Sequence, residues 1–230
     1  MMSALPALRE LLEQRFPDAV PVIHQTAAPV AAGVAELDRI FPGGGLPRAR
    51  LTVWRPLGAA TALLAAACRH TVAAGERAAW IDGGRTIHGE CWIEGPLLLR
   101  ARDRRNALRA TEELLRCGGF ALVVLAGVEP HANETVRLSR AAREGGAAFV
   151  AMTPQTTLAH LRVVSRVLPQ DYRWLSTPFA DPALADAVRV RVEAQALGWS
   201  AKTELVLPVW HPVRRIALDA GLVDRRGVKR

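Results

Sequence analysis

The chain has 230 residues, 50% of them hydrophobic and 23% charged, with 30 Lys+Arg against 22 Asp+Glu and a net charge of +8. This composition supports a packed core of ordinary domain size and excludes a disordered chain. No apolar run reaches the roughly 18 residues of a membrane helix. The three cysteines (Cys68, Cys91 and Cys117) are odd in number and lack CxxC spacing. That argues against a disulfide framework or zinc site and predicts reduced thiols in a cytoplasmic protein. The first residues lack the basic-then-apolar order of a signal peptide, since Glu10 and Glu13 interrupt them.

In chain order, Leu5, Leu8, Leu12 and Phe16 recur at helical spacing and predict an amphipathic helix over Leu5–Phe16. Pro17, Pro21 and Pro29 follow among small residues, so 1–28 reads as an N-terminal helix and linker. The apolar face is either an internal cover or a docking face for a neighbouring subunit or partner. From residue 50 the pattern changes. Strand-length apolar runs at Leu51–Trp54, Ala78–Ile81, Pro96–Leu99, Phe120–Leu125 and Ala147–Met152 alternate with helix-length stretches at Thr61–Ala74, Asp103–Cys117 and Asn133–Glu144. Apolar strands separated by helices predict a mostly parallel sheet covered on both faces. Val188–Gln195 alternates strictly, Gly198 marks a turn, and Glu204–Val209 can return as an antiparallel edge hairpin. Residues 29–212 therefore form an α/β core. Residues 213–230 form a basic tail carrying Arg214, Arg215, Arg225, Arg226, Lys229 and Arg230.

The segment Gly33–Leu64 places Leu37-Asp38 in a short helix, then the turn Gly43-Gly44-Gly45-Leu46-Pro47, the strand Leu51–Trp54, a small-residue loop and a helix. This order resembles the entry to the RecA/RadA recombinase core, where a Leu-Asp pair, a Gly-Gly-Leu-Pro turn and a strand lead into the phosphate-binding loop. The loop position departs from that pattern. A working phosphate loop needs glycines whose N–H groups surround the phosphates, a Lys for the β/γ charges and a Ser/Thr for magnesium. This chain reads Arg55-Pro56-Leu57-Gly58-Ala59-Ala60-Thr61-Ala62, and its first lysine is Lys202. Arg55, at the loop's start, does not replace a lysine at the helix N-terminus. Thr61 reads as a helix-start residue rather than a magnesium ligand.

Three further positions are empty by the same resemblance. Ala126-Gly127 follows the strand that would end in the magnesium Asp. Asp82-Gly83-Gly84 stands where Asp-x-Glu would supply a catalytic Glu, so Asp82 is left as a strand-end turn residue. Met152 stands near the γ-phosphate-sensing Gln. Arg55, Gly58, Thr61, Asp82 and Ala126 thus mark a degenerate nucleotide site, and phosphoryl transfer is expected to be abandoned.

A RecA-like core of this length, with a ruined nucleotide site, a short N-terminal helix and an Arg-rich tail, resembles the ImuA family of RecA-like accessory proteins of translesion synthesis. Some of its members carry the label of SulA-like cell-division inhibitors. The resemblance is carried by residues 30–152. It implies a non-enzymatic protein without cofactor or metal, acting in SOS mutagenesis through contacts with RecA, an ImuB-type polymerase homologue and an error-prone replicative-type polymerase. A subunit that presents a RecA-like interface but cannot use ATP would cap or destabilise a RecA filament. Leu5, Leu8, Leu12 and Phe16 are the expected partner-binding face. The alternatives are a cell-division inhibitor that binds the division-ring GTPase and an atypical RecA-like ATPase or recombinase. The tail cations predict weak, sequence-independent DNA binding through phosphates.

The six histidines (His24, His70, His88, His131, His160 and His211) show no i, i+3 or i+4 pair, so they give little support for a metal site. Trp54 and Trp80 end apolar strands and are expected in the core. For Trp174, Trp199 and Trp210, core packing outweighs a partner patch. Thr153–Asp181 lies where recombinases keep mobile DNA-binding loops, but its prolines and leucines predict a more ordered path. Within it Arg162, Arg166 and Arg173 read first as solvated surface and second as phosphate contacts.

Overall fold

A computed structural model describes residues 28–85, 87, 95–154, 159–175 and 184–209. The N-terminal helix face (Leu5, Leu8, Leu12, Phe16), the tail cations, His24, His88, His211, Cys91 and Trp210 lie outside the described residues. So does the tail's expected boundary.

The described strands form one nine-stranded mixed sheet. In chain order they are β1 (Arg50–Leu57), β2 (Ala78–Asp82), β3 (Leu97–Arg100), β4 (Leu122–Ala126), β5 (Ala148–Met152), β6 (Leu161–Arg166), β7 (Tyr172–Leu175), β8 (Leu184–Ala196) and β9 (Trp199–Pro208). The helices are α1 (Ala35–Ile40), α2 (Ala60–Ala73), α3 (Arg104–Arg116) and α4 (Ala132–Gly145). Across the sheet the order runs β3-β2-β4-β5-β1-β6-β8, with every pairing up to β6 parallel. β8 runs antiparallel to β6, β7 and β9. β6 and β7 lie end to end along one edge of β8, separated by the short turn Pro169–Asp171, and β9 pairs with Ala187–Ala196 along the other edge. This α/β architecture is compatible with a RecA-like core.

Burial explains the strand sequences. β2 and β4 are buried at every position, as expected for parallel strands covered on both faces. On one face Trp54, Trp80, Val124, Val150, Val163, Val190 and Val192 pack with Leu37, Leu46, Leu63 and Leu64 of α1, its following turn and α2. On the opposite face Leu51, Val53, Ile81, Val123 and Phe149 pack with Leu108 and Leu115 of α3 and Leu138 of α4. The Leu-Asp pair has a structural account. Leu37 is fully buried, and the Asp38 carboxylate accepts a hydrogen bond from the Ala32 N–H at 2.6 Å. The glycine turn is pinned by a two-way backbone bridge between Val30 and Leu46. Phe41 then meets Trp54 edge-on, with ring centroids 6.3 Å apart.

Within Thr153–Asp181 the described residues follow an ordered path, as expected, and take strand form. Residues 161–166 and 172–175 are strands of the sheet, joined by a single turn. The alternation in Leu161–Arg166 was short and polar, yet β1 and β8 supply its two neighbours. Two tryptophans need correction. Trp174 is 56% exposed and tilts against Tyr172, and Trp199 is 37% exposed. Trp174 lies on β7, and Trp199 lies at the hairpin end of β9, away from Leu205 of that strand, which packs in the core with Leu37 of α1.

Two cysteines differ sharply. Cys68 is buried on α2, and burial pushes its thiol from an ordinary 9.0 up to about 12, with Arg69 opposing the shift; Cys117 is exposed. In native protein at about pH 8, a maleimide should label Cys117 and leave Cys68 untouched until denaturant is added, as read by peptide mass spectrometry. Equal native labelling of both would contradict the packing. Because the folded thiol resists ionisation, Cys68 favours the native state less and less as pH rises from 9.0 towards about 12.

Candidate functional site: the carboxyl ends of the central strands

β1 lies between β5 and β6, and the chain leaves it over one sheet face through α2 to reach β2. It returns by α3 and α4 on the other face. In open α/β sheets ligands bind at such a reversal, beyond the carboxyl ends of the strands. The ends of β2, β4, β5 and β1 line up there: Asp82 is in register with Ala126, Leu125 with Ala151, and Trp54 with Met152. Of the five expected site residues, Gly58, Thr61, Asp82 and Ala126 lie at this end of the sheet. Arg55 does not join them.

The connection from β1 to α2 is the decisive feature. Arg55, Pro56 and Leu57, expected in a loop, continue the strand in register with Val164, Ser165 and Arg166 of β6. α2 begins at Ala60. Only Gly58 and Ala59 remain between strand and helix, whereas a phosphate loop of the G-x-x-x-x-G-K-[ST] type spans eight residues. Both take left-hand backbone angles: φ is +133° at Gly58 and +59° at Ala59. The link is held down rather than left open. The Trp54 indole N–H donates to Ser165 Oγ at 2.9 Å, and Ser165 Oγ donates to the Gly58 carbonyl at 2.7 Å. A Cβ on Gly58 would come within 2.8 Å of Val167 Cβ and 2.9 Å of its backbone nitrogen. The backbone therefore packs against the end of β6 where a cradle would have to arch over a phosphate.

The neighbouring positions are filled in the same way. Asp82 is fully buried and accepts from the Ile87 N–H at 2.9 Å, so its carboxylate organises the turn after β2. The Gly83 N–H bonds the Ala126 carbonyl at 2.9 Å. Gly127, at φ +72°, lies so close that a Cβ would come 2.3 Å from the Gly84 nitrogen. A side chain at position 127 would therefore meet the backbone of the turn after β2. The Thr153 N–H bonds the Trp54 carbonyl at 3.1 Å and seals the β5 end onto β1. Thr61 is exposed in the first turn of α2, whose N-cap Ala59 offers no side-chain cap. Arg55 projects from the opposite sheet face: its neighbour Trp54 is buried beneath α2, while Arg55 is exposed beside Val164.

Concave surface occurs elsewhere. A cavity of about 390 Å³ opens at the opposite end of β1, between Arg50, Val136, Arg143 and His160. Burial, and then the Arg50 charge, hold His160 below its ordinary value. A shallower groove of about 530 Å³ follows α3 beside β3, lined by Arg100, Arg102, Asn106, Arg109 and Glu113. Sequence reading had singled out neither. Among the described residues no group of three His, Cys, Asp or Glu side chains lies together. No family model matches the chain, and no match was found among curated proteins.

Proposed function

We propose that the protein is a non-enzymatic accessory factor of error-prone DNA synthesis, acting through contacts with RecA or with translesion polymerase subunits. The observation that carries this reading is the two-residue β1–α2 link in a sheet compatible with a RecA-like core. A recombinase-shaped body whose phosphate loop is replaced by packed backbone keeps a shape that RecA subunits recognise while losing the means to bind and hydrolyse ATP. Such a subunit would end a filament, since recombinase joints enclose nucleotide between neighbours. The amphipathic face Leu5, Leu8, Leu12 and Phe16 is the proposed docking element. A cytoplasmic location belongs to the same reading.

The test is capture of purified RecA, ImuB-type and replicative-type polymerase subunits by the full-length protein, with the Leu8→Asp/Leu12→Asp variant alongside. The double variant should lose about tenfold or more of the binding to its partner, since charge replaces two apolar contacts. Its thermal unfolding should match that of the parent. Absence of binding to any of the three would overturn the reading. Binding to the division-ring GTPase instead would favour the cell-division alternative.

A further inference from the structure

We propose that the face of the β6–β8–β9 half of the sheet that no described α-helix covers binds the phosphate backbone of single-stranded nucleic acid. This does not depend on the proposed partner contacts, and it concerns residues other than the tail cations.

The sheet is covered unequally. α3 and α4 shield one face over β2, β4, β5 and the start of β1, but no described α-helix packs on that face over β6, β8 and β9, and the 3-10 turn Pro169–Asp171 touches β8 at its margin. Strand alternation fixes what it displays. Val163, Ser165, Val190, Val192 and Leu205 turn to the core, so their neighbours turn outward. The outward set carries six cations: Arg55, Arg162, Arg166, Arg189, Arg191 and Lys202. Two carboxylates, Glu193 and Glu204, share the strands, and Asp171 sits at the margin. The acids are committed. Arg191 pairs with Asp171 at 3.1 Å and with Glu204 at 3.0 Å, and Lys202 pairs with Glu193 at 2.9 Å. Arg189 reaches Glu204 only at 4.0 Å. Arg55 and Arg166 have no ion pair among the described residues.

Register sets the spacing. Arg55 is opposite Val164, so along the strand axis it falls between Arg162 and Arg166. The three guanidinium stems therefore recur about every 6.6–6.8 Å along the axis and about 4.8 Å across it. That is a row of cations along an open sheet face, suited to one extended polyanion. Apolar exposure on this face is scattered, with Leu57 and Val206 far apart across the sheet, so it lacks the central apolar anchor of a protein-binding patch. Arginine forks bind phosphate oxygens in pairs and carry no sequence information.

The test is fluorescence anisotropy of the full-length protein with labelled oligothymidylate of about 30 nucleotides, roughly twice the upper site size of single-strand binding folds. The salt series would run from about 50 to 200 mM. Arg55→Gln/Arg162→Gln/Arg166→Gln should weaken binding about tenfold or more and flatten the log–log salt slope by about two, as loss of three phosphate contacts requires. The matching triple lysine variant should bind nearly as the parent does, since charge is kept. Gln at Arg214, Arg215, Arg225, Arg226, Lys229 and Arg230 measures the tail's separate share. Unchanged affinity and slope in the folded triple Gln variant overturns the proposal. So does the absence of oligonucleotide binding at low salt, which would leave an acidic protein surface as the occupant.

Discussion

Calorimetric titration with Mg-ATP should give no binding tighter than about millimolar, a free energy near −4 kcal/mol or weaker. A phosphate-loop lysine contributes charge-assisted hydrogen bonds of about 1.5–3 kcal/mol each. Here the loop's N–H donors are missing as well, because Gly58 and Ala59 are its whole length. The stronger form of the expectation concerns repair. Ala60→Lys should fail to restore binding, since a lysine at the start of α2 would face backbone already packed on Val167 and Ser165. Micromolar affinity in the parent, or its recovery in the variant, would show that nucleotide can displace this packing, and the proposed non-enzymatic role would fall with it.

The second large effect is on stability. Trp54→Ala should destabilise the fold by about 4–6 kcal/mol: about 3–5 for emptying the site of a buried tryptophan and about 1 for the hydrogen bond to Ser165. Trp54 is 1% exposed and lies between Phe41 and the Ser165 hydroxyl, so one substitution removes core volume, a ring contact and the first link of the chain that ends at the Gly58 carbonyl. For a domain stable by about 5–15 kcal/mol this is a large fraction. Trp54→Phe should cost less, because it keeps a ring against Phe41 and leaves Ser165 bonded to Gly58. Urea unfolding of the two variants gives the comparison. Equal, small shifts in midpoint would mean that Trp54 does not pin the link. Loss of the fold in Trp54→Ala alone, with Trp54→Phe intact, agrees with the expectation.

The two sheet faces account for the fate of the candidate residues. Residues 54 and 55 are consecutive, yet strand geometry sends them to opposite sides. Trp54 joins the core beneath α2, and Arg55 joins a cationic surface with Arg162 and Arg166. Reading the segment as a loop hid this alternation. The resemblance to a recombinase placed the phosphate loop there, but Pro56 sits close to the end of the strand, where the ladder loses little by its missing N–H.

The sequence by itself determined the parallel half of the fold. Runs such as Ala78–Ile81 and Phe120–Leu125 are apolar at consecutive positions, and only a strand covered on both faces uses that pattern. It also determined that no lysine could stand at a phosphate loop, since the first is Lys202. The edge hairpin was equally legible, because Val188–Gln195 alternates and Gly198 supplies the turn. Tertiary structure alone decided the rest. Whether Arg55–Leu57 is loop or strand depends on β6 being present to pair with it, a contact separated by more than a hundred residues. The exposure of Trp174 and Trp199 depends on where β7 and the hairpin end of β9 fall in the sheet. The cation row is likewise invisible in one dimension: Arg55 and Arg162 belong to different strands, and a parallel register, which local sequence does not encode, brings them side by side.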